Sequence, residues 1–224
     1  MTFTVDNATQ QFFQESMPVF FEHEVPGTLF AQIVAITGYR GDLSWDDVQT
    51  LMDHGWELGA HSYTHSVPLT KADDVTLEME LGAPAAYIYR QTGVYPTTFA
   101  SPHGDYDERV LNRVRVYYEA HARGWGNGGV NRFDSTDHYR IHREQVDNTM
   151  TVAQACAELE KAGREGYWLV LMWHRVVEEP SYKYENSAEQ FEGVISCAAE
   201  MRDRGIIRLM NMKEALKYVP HTPK

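Results

Sequence analysis

Short apolar runs alternate with helical patterns along almost the whole chain. Residues 2–5, 98–100 and 167–173 have the length and composition of buried strands, and amphipathic segments separate such runs. Strands that alternate with helices form parallel sheets, because each helix carries the chain back to the same edge. The pattern predicts an α/β fold in which helices surround a parallel sheet or barrel, within a single domain over residues 1–224.

The remaining elements follow from capping residues, glycines and periodicity. Further strands are predicted at residues 27–36, 56–60, 139–141 and 206–209. Helices are predicted around Phe13 to Phe21 and at residues 45–54, 70–92, 107–120, 151–162, 187–204 and 212–218. The glycine-rich segment 124–129 lacks the spacing of a phosphate-binding loop, so no nucleotide site is expected.

Charge and hydropathy exclude several classes of partner. The formal net charge is −12, and the 20 Lys and Arg residues are scattered, so neither nucleic acid nor an anionic membrane is an expected partner. The longest apolar run, residues 167–173, is far too short for membrane insertion. No signal-peptide pattern is present, and the sequence leaves open whether another segment precedes the first predicted strand.

The two cysteines fall in two different predicted helices. Cys156 and Cys197 each have small and apolar neighbours, which favours a pair of buried thiols. A disulfide is the alternative, and two cysteines without a known redox compartment do not decide it.

A histidine pair follows the strand predicted at residues 56–60. His61 and His65 are four residues apart, a spacing at which two neutral imidazoles can share one divalent cation. In a chain with 10 His, the same spacing also arises by chance. The pair by itself is therefore weak evidence for a metal site.

Other polar residues also follow predicted strands. Asp6 and Asn7 end the first strand, residues 101–105 follow the short strand at 98–100, and His174 ends the most apolar run. Each has an ordinary explanation as a helix cap, a turn or a buried histidine. Reactive groups collect at the carboxyl ends of parallel strands, so the coincidence of several such residues predicts a site there.

The order of these residues resembles the polysaccharide deacetylase family, also called the NodB homology domain or carbohydrate esterase family 4. The resemblance extends from Phe3 to Leu216. The family motif T-F-D-D-G is similar to residues 4–8, and the motif H-S/T-x-x-H is matched in full by residues 61–65. The motif R-P-P-Y-G corresponds loosely to residues 100–104. The last motif, an apolar run that ends in L-x-H, corresponds to residues 171–174.

The resemblance implies a distorted (β/α) barrel with one divalent metal ion, usually zinc, with cobalt or manganese as alternatives. Carried over by position, Asn7, His61 and His65 become metal ligands, Asp6 the catalytic base and His174 the general acid. The backbone N–H of His103 becomes an oxyanion donor. The substrate side of the site is then expected to comprise His103, Pro102, Trp125, Trp173, Met172 and Arg143.

The chain departs from the family pattern at three places. Asn7 replaces an anionic ligand by a neutral amide, which is expected to weaken metal binding. Ala100 stands where the family has an Arg that orients the base, and Arg143 is the candidate replacement. The family motif D-x-x-D-W is not recognisable in this chain. Trp125 and Trp173 are candidates for its aromatic wall, with core packing as the alternative. His103 is a candidate extra ligand or substrate contact, with an exposed turn residue as the alternative.

The function expected from the resemblance is hydrolysis of N-acetyl groups on a glycan that contains N-acetylglucosamine. Three alternatives remain open at this point: an O-acetyl xylan esterase, a hydrolase of small amides or cyclic imides, and a glycan-binding module without turnover. The expected partner in each glycan case is an acetylated glycan. The resemblance favours an extracellular or cell-surface location, and the oligomeric state is not specified.

Overall fold

Seven parallel strands form the central sheet. The computed structural model describes residues 1–36, 42–124 and 129–220. The spatial order of the strands is β5-β4-β3-β2-β1-β7-β6, and every neighbouring pair is parallel. Their bounds are β1 (Thr2–Asp6), β2 (Gly27–Ala31), β3 (Glu57–Ala60), β4 (Thr98–Ala100), β5 (Ala120–Ala122), β6 (Glu144–Gln145) and β7 (Val170–Trp173).

The segment before β6 brings the two edges of the sheet together. Ile141 forms a parallel bridge with Ala122 at the β5 edge, and its N–H donates to the carbonyl of His121 at 3.1 Å. Three residues later, Glu144 pairs with Leu171 of β7 at the other edge. The sheet therefore closes into a distorted barrel, which confirms the predicted fold class.

Seven α-helices accompany the sheet, and side chains of the expected types cap them. They are α1 (Gln10–Glu22), α2 (Trp45–Asp53), α3 (Asp74–Thr92), α4 (Glu108–Tyr117), α5 (Val152–Glu165), α6 (Ala188–Asp203) and α7 (Met212–Leu216) within the described ranges. Ser44 and Thr151 form reciprocal capping boxes at α2 and α5. Gly93 and Gly166 end α3 and α5 in the left-handed conformation that glycine adopts without steric cost. None of the described helices is long and apolar enough to cross a membrane.

The main core lies between the sheet and the helices α1 to α6. Every residue of β1 and β2 is buried, as expected for strands covered on both faces. Phe20 of α1 makes edge-to-face contacts with Phe3, Trp56 and Phe191, at centroid distances of 5.9, 4.7 and 5.2 Å. These rings fix the position of β1, whose carboxyl end carries Asp6 and Asn7.

A buried carboxylate organises the amino ends of the strands. Glu57 accepts hydrogen bonds from the hydroxyls of Thr28 and Thr98, at 3.1 and 2.8 Å, and from the backbone N–H of Lys213 at 2.7 Å. Burial raises the pKa of Glu57, and these donors act in the opposite direction. The contacts attach the start of α7 to the bottom of the sheet, away from the strand ends that carry the histidines.

Some predicted elements are wrong in extent or type. The helix predicted at 107–120 ends at Tyr117, because Tyr118 turns to an extended conformation and its ring packs on Phe99; β5 follows. The strand predicted at 27–36 ends at Ala31 and a 3₁₀ turn follows it. Residues 139–141 contribute only the Ile141 bridge, and residues 206–209 form no strand.

The sequence pattern did not predict a second, small sheet, which has two strands of two residues each. β8 (Arg175–Val176) pairs in parallel with β9 (Glu185–Asn186), directly after β7. Strands of two residues carry no detectable periodicity. This small sheet ties down the loop between residues 176 and 185, which lies beside the carboxyl end of β7.

The expectation of two buried thiols is wrong. Cys156 of α5 and Cys197 of α6 form a disulfide, with a Cα–Cα distance of 6.2 Å. Both residues are half-buried at the contact between the two helices. The helical positions were predicted, but the side-by-side packing that brings the sulfurs together is a tertiary property that two isolated cysteines do not reveal.

Removing both cysteines should reduce stability. The double variant Cys156→Ser/Cys197→Ser should lose about 3–4 kcal/mol of unfolding free energy, since the bond closes a loop with a sequence separation of 41 residues. Urea denaturation followed by circular dichroism measures this loss, and wild-type protein with reductant is the matched control. Reactive thiols in unfolded, unreduced wild-type protein would contradict the cross-link.

Candidate active site

The carboxyl ends of β1, β3, β4 and β7 meet at one cavity of about 430 Å³. Four histidines line the cavity, together with charged and aromatic side chains. Its lining comprises Asp6, Asn7, His61, His65, Ser101, His103, Gly104, Gly124, Arg143, Met172, His174, Tyr182 and Tyr184. Parallel strands place their carboxyl ends on one side, so residues far apart in sequence come together here.

A buried ion pair forms the floor of the cavity. The Nη1 and Nη2 atoms of Arg143 donate to the two carboxylate oxygens of Asp6, at 2.6 and 2.9 Å. The Arg143 Nε donates to the carbonyl of Arg123 at 3.1 Å, and its guanidinium lies 5.1 Å from the ring centroid of Phe30. Burial alone would raise the pKa of Asp6, but Arg143 and then His61 outweigh it and hold that pKa at about 2. Asp6 is therefore ionised and fixed in orientation.

His61 is oriented through one ring nitrogen. Its Nδ1 lies 2.8 Å from the carbonyl of Ala100, so this nitrogen carries the hydrogen and Nε2 is left unprotonated when the ring is neutral. That Nε2 lies 3.9 Å from Oδ2 of Asp6. Burial lowers the pKa of His61 to about 4, although Asp6 acts in the opposite direction. A histidine that donates Nδ1–H to a carbonyl presents Nε2 as metal-ligating histidines do.

Glu80 of α3 holds the histidine loop from below. This buried carboxylate accepts the backbone N–H groups of Tyr63 and Thr64, at 3.0 and 2.9 Å, and the hydroxyl of Thr64. The Oγ of Ser62 accepts the N–H of His65 at 2.9 Å. These bonds fix the backbone between the two histidines of the H-x-x-x-H pair.

Four residues around the cavity have left-handed backbone conformations. Their φ angles are 55° for Asn7, 67° for Ser62, 58° for His65 and 55° for His103. Such angles are uncommon for residues with a Cβ, and they persist where the surrounding contacts enforce them. Their concentration at this cavity is typical of a functional site.

His65 lies between the other two imidazoles of this wall. Its ring centroid is 5.0 Å from that of His61 and 4.5 Å from that of His103, which is exposed. Burial, and then His103, lower the pKa of His65. At neutral pH the rings of His61 and His65 are therefore predominantly neutral donors, as metal ligation requires.

Asn7 lines the cavity and, within the described part of the chain, has an unpartnered side-chain oxygen. Its Oδ1 is buried and has no hydrogen-bond partner among the described residues. Buried polar atoms are nearly always satisfied, so an exception calls for a ligand or a functional role. The atom belongs to the residue that the family resemblance places at the third ligand position.

His174 lies on the opposite side, at the end of β7. Its ring centroid is 5.1 Å from that of Tyr184, and its Nδ1 has no hydrogen-bond partner within residues 1–36, 42–124 and 129–220. Burial lowers its pKa, and Asp6 acts in the opposite direction. His174 and Asp6 therefore face a common space from adjacent strands.

A serine–histidine pair lies beneath the β4 side of the cavity. His121 has its Nδ1 at 3.0 Å from the carbonyl of Tyr139, and its Nε2 at 2.8 Å from the hydroxyl of Ser101. Because a carbonyl only accepts, Nδ1 carries the hydrogen and Nε2 accepts the Ser101 O–H. Burial lowers the pKa of His121 to about 3, so it stays neutral and joins β4 to β5.

Two glycines let the loops after β4 and β5 touch at the rim of the cavity. A Cβ on Gly104 would meet the Cα of Gly124 at 2.9 Å, and a Cβ on Gly124 would meet the Cα of Gly104 at 2.5 Å. Gly104 also has a φ of +67°. Only residues without a side chain permit this backbone contact.

The structure places most of the predicted site residues together but separates two of them. Asp6, Asn7, His61, His65, His103, Arg143, Met172 and His174 all line the cavity. The prediction that Trp173 lines the cavity is wrong, because its side chain is fully buried against Phe191 and packs in the core. Pro102 is buried and does not line the cavity, since the turn at residues 102–104 points it inward. Trp125 lies outside the described residues.

Some contributors could not be singled out from the sequence. Tyr182 and Tyr184 line the cavity from the loop before β9, but no spacing distinguishes them among the many aromatic residues of the chain. Glu80 did carry a signal, because it interrupts the apolar stripe that includes Leu77 and Pro84 at helical spacing. A carboxylate within a buried stripe is a candidate for binding backbone N–H groups.

The polysaccharide deacetylase family model matches residues 1–117, just over half of the chain. The chain therefore belongs to the polysaccharide deacetylase family, a family of carbohydrate-active hydrolases. A search of curated protein sequences gives no match.

Solved structures of the same fold are similar over nearly the whole chain. The carbohydrate esterase family 4 domain of a multidomain xylanase from the hindgut metagenome of Trinervitermes trinervoides has a TM-score of 0.65 at 15% identity, covering 96% of this chain and 88% of that one. A family 4 carbohydrate esterase from Streptomyces lividans, in complex with acetate, has a TM-score of 0.65 at 16% identity, covering 100% and 97%. A pseudoenzyme of the same family from Bacillus anthracis has a TM-score of 0.61 at 14% identity, covering 96% and 64%. At these identities the likeness shows the shared fold.

Truncating Glu80 should destabilise the protein. Glu80→Ala leaves the N–H groups of Tyr63 and Thr64 without their acceptor, and we expect a loss of about 2–3 kcal/mol in unfolding free energy. Glu80→Gln keeps an acceptor oxygen and should lose less than about 1 kcal/mol. Urea denaturation compares both with Glu200→Ala, whose exposed carboxylate makes only a surface pair with Arg204 at 3.5 Å. Equal stability of the Ala and Gln variants would contradict this role of Glu80.

Proposed function

We propose that this protein removes N-acetyl groups from a glycan that contains N-acetylglucosamine, by metal-dependent hydrolysis. The observation that carries the proposal is the convergence of Asp6, Asn7, His61, His65 and His174 on one cavity. These are the residues that occupy the family's base, ligand and acid positions. The acetylated glycan is therefore the proposed substrate and partner.

The donor set fits one divalent ion, although no group of three or more His, Cys, Asp or Glu side chains in the described part of the chain forms a cation site. His61 and His65 supply imidazole nitrogens, and the unpartnered Oδ1 of Asn7 supplies an oxygen. Two His and one oxygen are a donor set that zinc accepts in catalytic sites, with cobalt or manganese as alternatives. When bound, the ion would supply Lewis acidity to the acetyl carbonyl and to a water molecule.

Asp6 is placed to accept the proton of the attacking water. The Arg143 pair and the low pKa keep its carboxylate ionised, so it is available as an acceptor at any physiological pH. Both of its oxygens accept from Arg143, which fixes the direction from which it takes a proton. Arg143 thereby takes the orienting role that Ala100 leaves open in this chain.

His174 is placed to donate a proton to the departing nitrogen. An amine leaves an amide only after protonation, so the acid must face the base across the scissile bond. His174 and Asp6 lie on adjacent strands, β7 and β1, and line the same cavity. The backbone N–H of His103 is the proposed donor to the oxyanion.

Ester hydrolysis is the second candidate. His174 lacks a partner on Nδ1 among the described residues, and burial lowers its pKa, so little of it is protonated at neutral pH. An ester has a less demanding leaving group than an amide and tolerates a weaker acid. An O-acetylated sugar such as acetylated xylan is therefore the alternative substrate.

An extracellular or cell-surface location is the proposed setting. The disulfide between Cys156 and Cys197 supports it, because disulfides persist in oxidising compartments.

The zinc- or cobalt-loaded protein should release acetate from chito-oligosaccharides, which a coupled acetate assay measures. Asp6→Ala and His174→Ala should each reduce the rate at least about a hundredfold, because each removes a proton-transfer group. His54→Ala is the matched control, since this exposed histidine stacks on Phe21 at 3.9 Å, away from the cavity.

Three results would redirect the proposal. Acetate release only from acetylated xylan would favour the esterase. Activity that survives exhaustive chelation would favour a metal-independent hydrolase of small amides. Glycan binding without any acetate release, with metal bound, would identify a binding module and contradict the enzymatic proposal.

Restoring a carboxylate at the third ligand position should tighten metal binding. Asn7→Asp places an anionic oxygen where the amide oxygen lies, and Asp tolerates the left-handed φ of 55° about as well as Asn. We expect zinc affinity to rise at least about tenfold, as measured by isothermal titration calorimetry. Asn112→Asp is the control, because this exposed asparagine of α4 lies outside the cavity and accepts a hydrogen bond from Arg115. Unchanged affinity in Asn7→Asp would exclude residue 7 from the ligand set.

A further inference from the structure

An aromatic wall borders the cavity on the side of His174. Tyr182 and Tyr184 line the cavity from the loop between β8 and β9. Neither residue belongs to the motifs on which the family resemblance rests. The role of this loop in the site is therefore inferred from its contacts with neighbouring residues.

Buried and backbone contacts hold this loop in one conformation. Oε2 of Glu185 accepts the N–H groups of Ser181 and Tyr182, at 3.0 and 3.1 Å, and the Glu185 N–H donates to the Tyr182 carbonyl at 2.9 Å. Asn148 donates from its side chain to the Tyr182 carbonyl at 3.3 Å. Glu185 is itself buried and pairs with Arg175 at 3.2 Å. The loop therefore presents its side chains from a preformed backbone.

The two tyrosine rings are in different surroundings. The ring of Tyr184 is half-buried, with His174 at a centroid distance of 5.1 Å and the Lys183 ammonium 4.6 Å from its centroid. Tyr182 packs its edge on Tyr184, at 5.1 Å and 78°, and is 56% exposed. Tyr184 is thus engaged by neighbours, whereas much of the Tyr182 ring faces solvent beside the cavity.

An exposed aromatic ring that is held in place at the edge of a polar cavity can bind a sugar ring by stacking. Pyranose rings have C–H groups that form an apolar face, and hydroxyl groups around their edge. A tyrosine ring can cover the apolar face at low cost in side-chain entropy, while its O–H remains in water. Polar groups of the cavity then remain available for the acetyl group.

We propose that Tyr182 is the stacking platform for a sugar ring next to the acetylated one, and that it sets a preference for oligosaccharides over isolated acetyl esters. This inference rests on the proposed function, since it assumes that a glycan occupies the cavity. Tyr184 positions Tyr182 by the edge-to-face contact. The substrate class is a chain of at least two pyranose units.

Kinetics on a long and a short substrate test the platform. Tyr182→Ala should raise KM for tetra-N-acetylchitotetraose about tenfold, with kcat within about twofold of wild type. Its kcat/KM should fall less for 4-nitrophenyl acetate, which has no second sugar ring, than for the tetrasaccharide. Tyr182→Phe should restore the wild-type KM, because the ring does the stacking. Tyr95→Ala is the matched control: Tyr95 is 62% exposed and stacks on Tyr89 at 4.1 Å, near the amino ends of the strands.

The outcomes separate this inference from the proposed function. An unchanged KM for the tetrasaccharide in Tyr182→Ala, with an active wild type, overturns the platform and leaves the deacetylase proposal standing. If wild type releases no acetate, the proposed function fails, and calorimetric titration with the tetrasaccharide decides the platform. Binding weakened in Tyr182→Ala and kept in Tyr182→Phe supports it; no binding by wild type overturns it.

Discussion

A buried ion pair joins the first strand of the barrel to the segment that closes it. Arg143 lies two residues after Ile141, which bridges to β5, and one residue before β6, which pairs with β7. Its guanidinium holds the carboxylate of Asp6 with two hydrogen bonds. Breaking such a pair leaves a buried charge unpaired, which is strongly unfavourable. Closure of the barrel and orientation of the proposed base therefore depend on the same contact.

The parallel α/β architecture could be predicted because buried strands and capped helices alternate at regular spacing. The grouping of the site's side chains was largely predictable for the same reason, since Asp6, His61 and His174 each end an apolar run, and His65 follows His61 by four residues. The contact of Arg143 with Asp6 spans 137 residues and could be proposed only as a replacement for a missing residue. Tyr182 could not be singled out among the aromatic residues, because its place depends on two-residue strands that have no periodicity.

The site lies where parallel barrels usually place their reactive groups, but its proposed metal donors carry no charge. The proposed metal donors at residues 7, 61 and 65 are all neutral, and the nearest anion, Asp6, is already paired with Arg143. A cation held there would keep more of its charge than one held by a carboxylate, and so would polarise an oxygen more strongly while binding less tightly. If the proposed site binds a metal ion, the same family fold would accommodate a different balance between metal affinity and reactivity.

The meeting of Gly104 and Gly124 sets the width of the cavity at one point by main-chain contact alone. The width at this point cannot be changed by exchanging one side chain for another, because two main-chain segments are in contact. Changes in the size of accepted substrates would have to arise elsewhere on the rim, where side chains such as His103 and Tyr182 project. The rim thus has one point that main-chain contact fixes, and diversification of substrate range within such a scaffold would be confined to the rim positions that carry side chains.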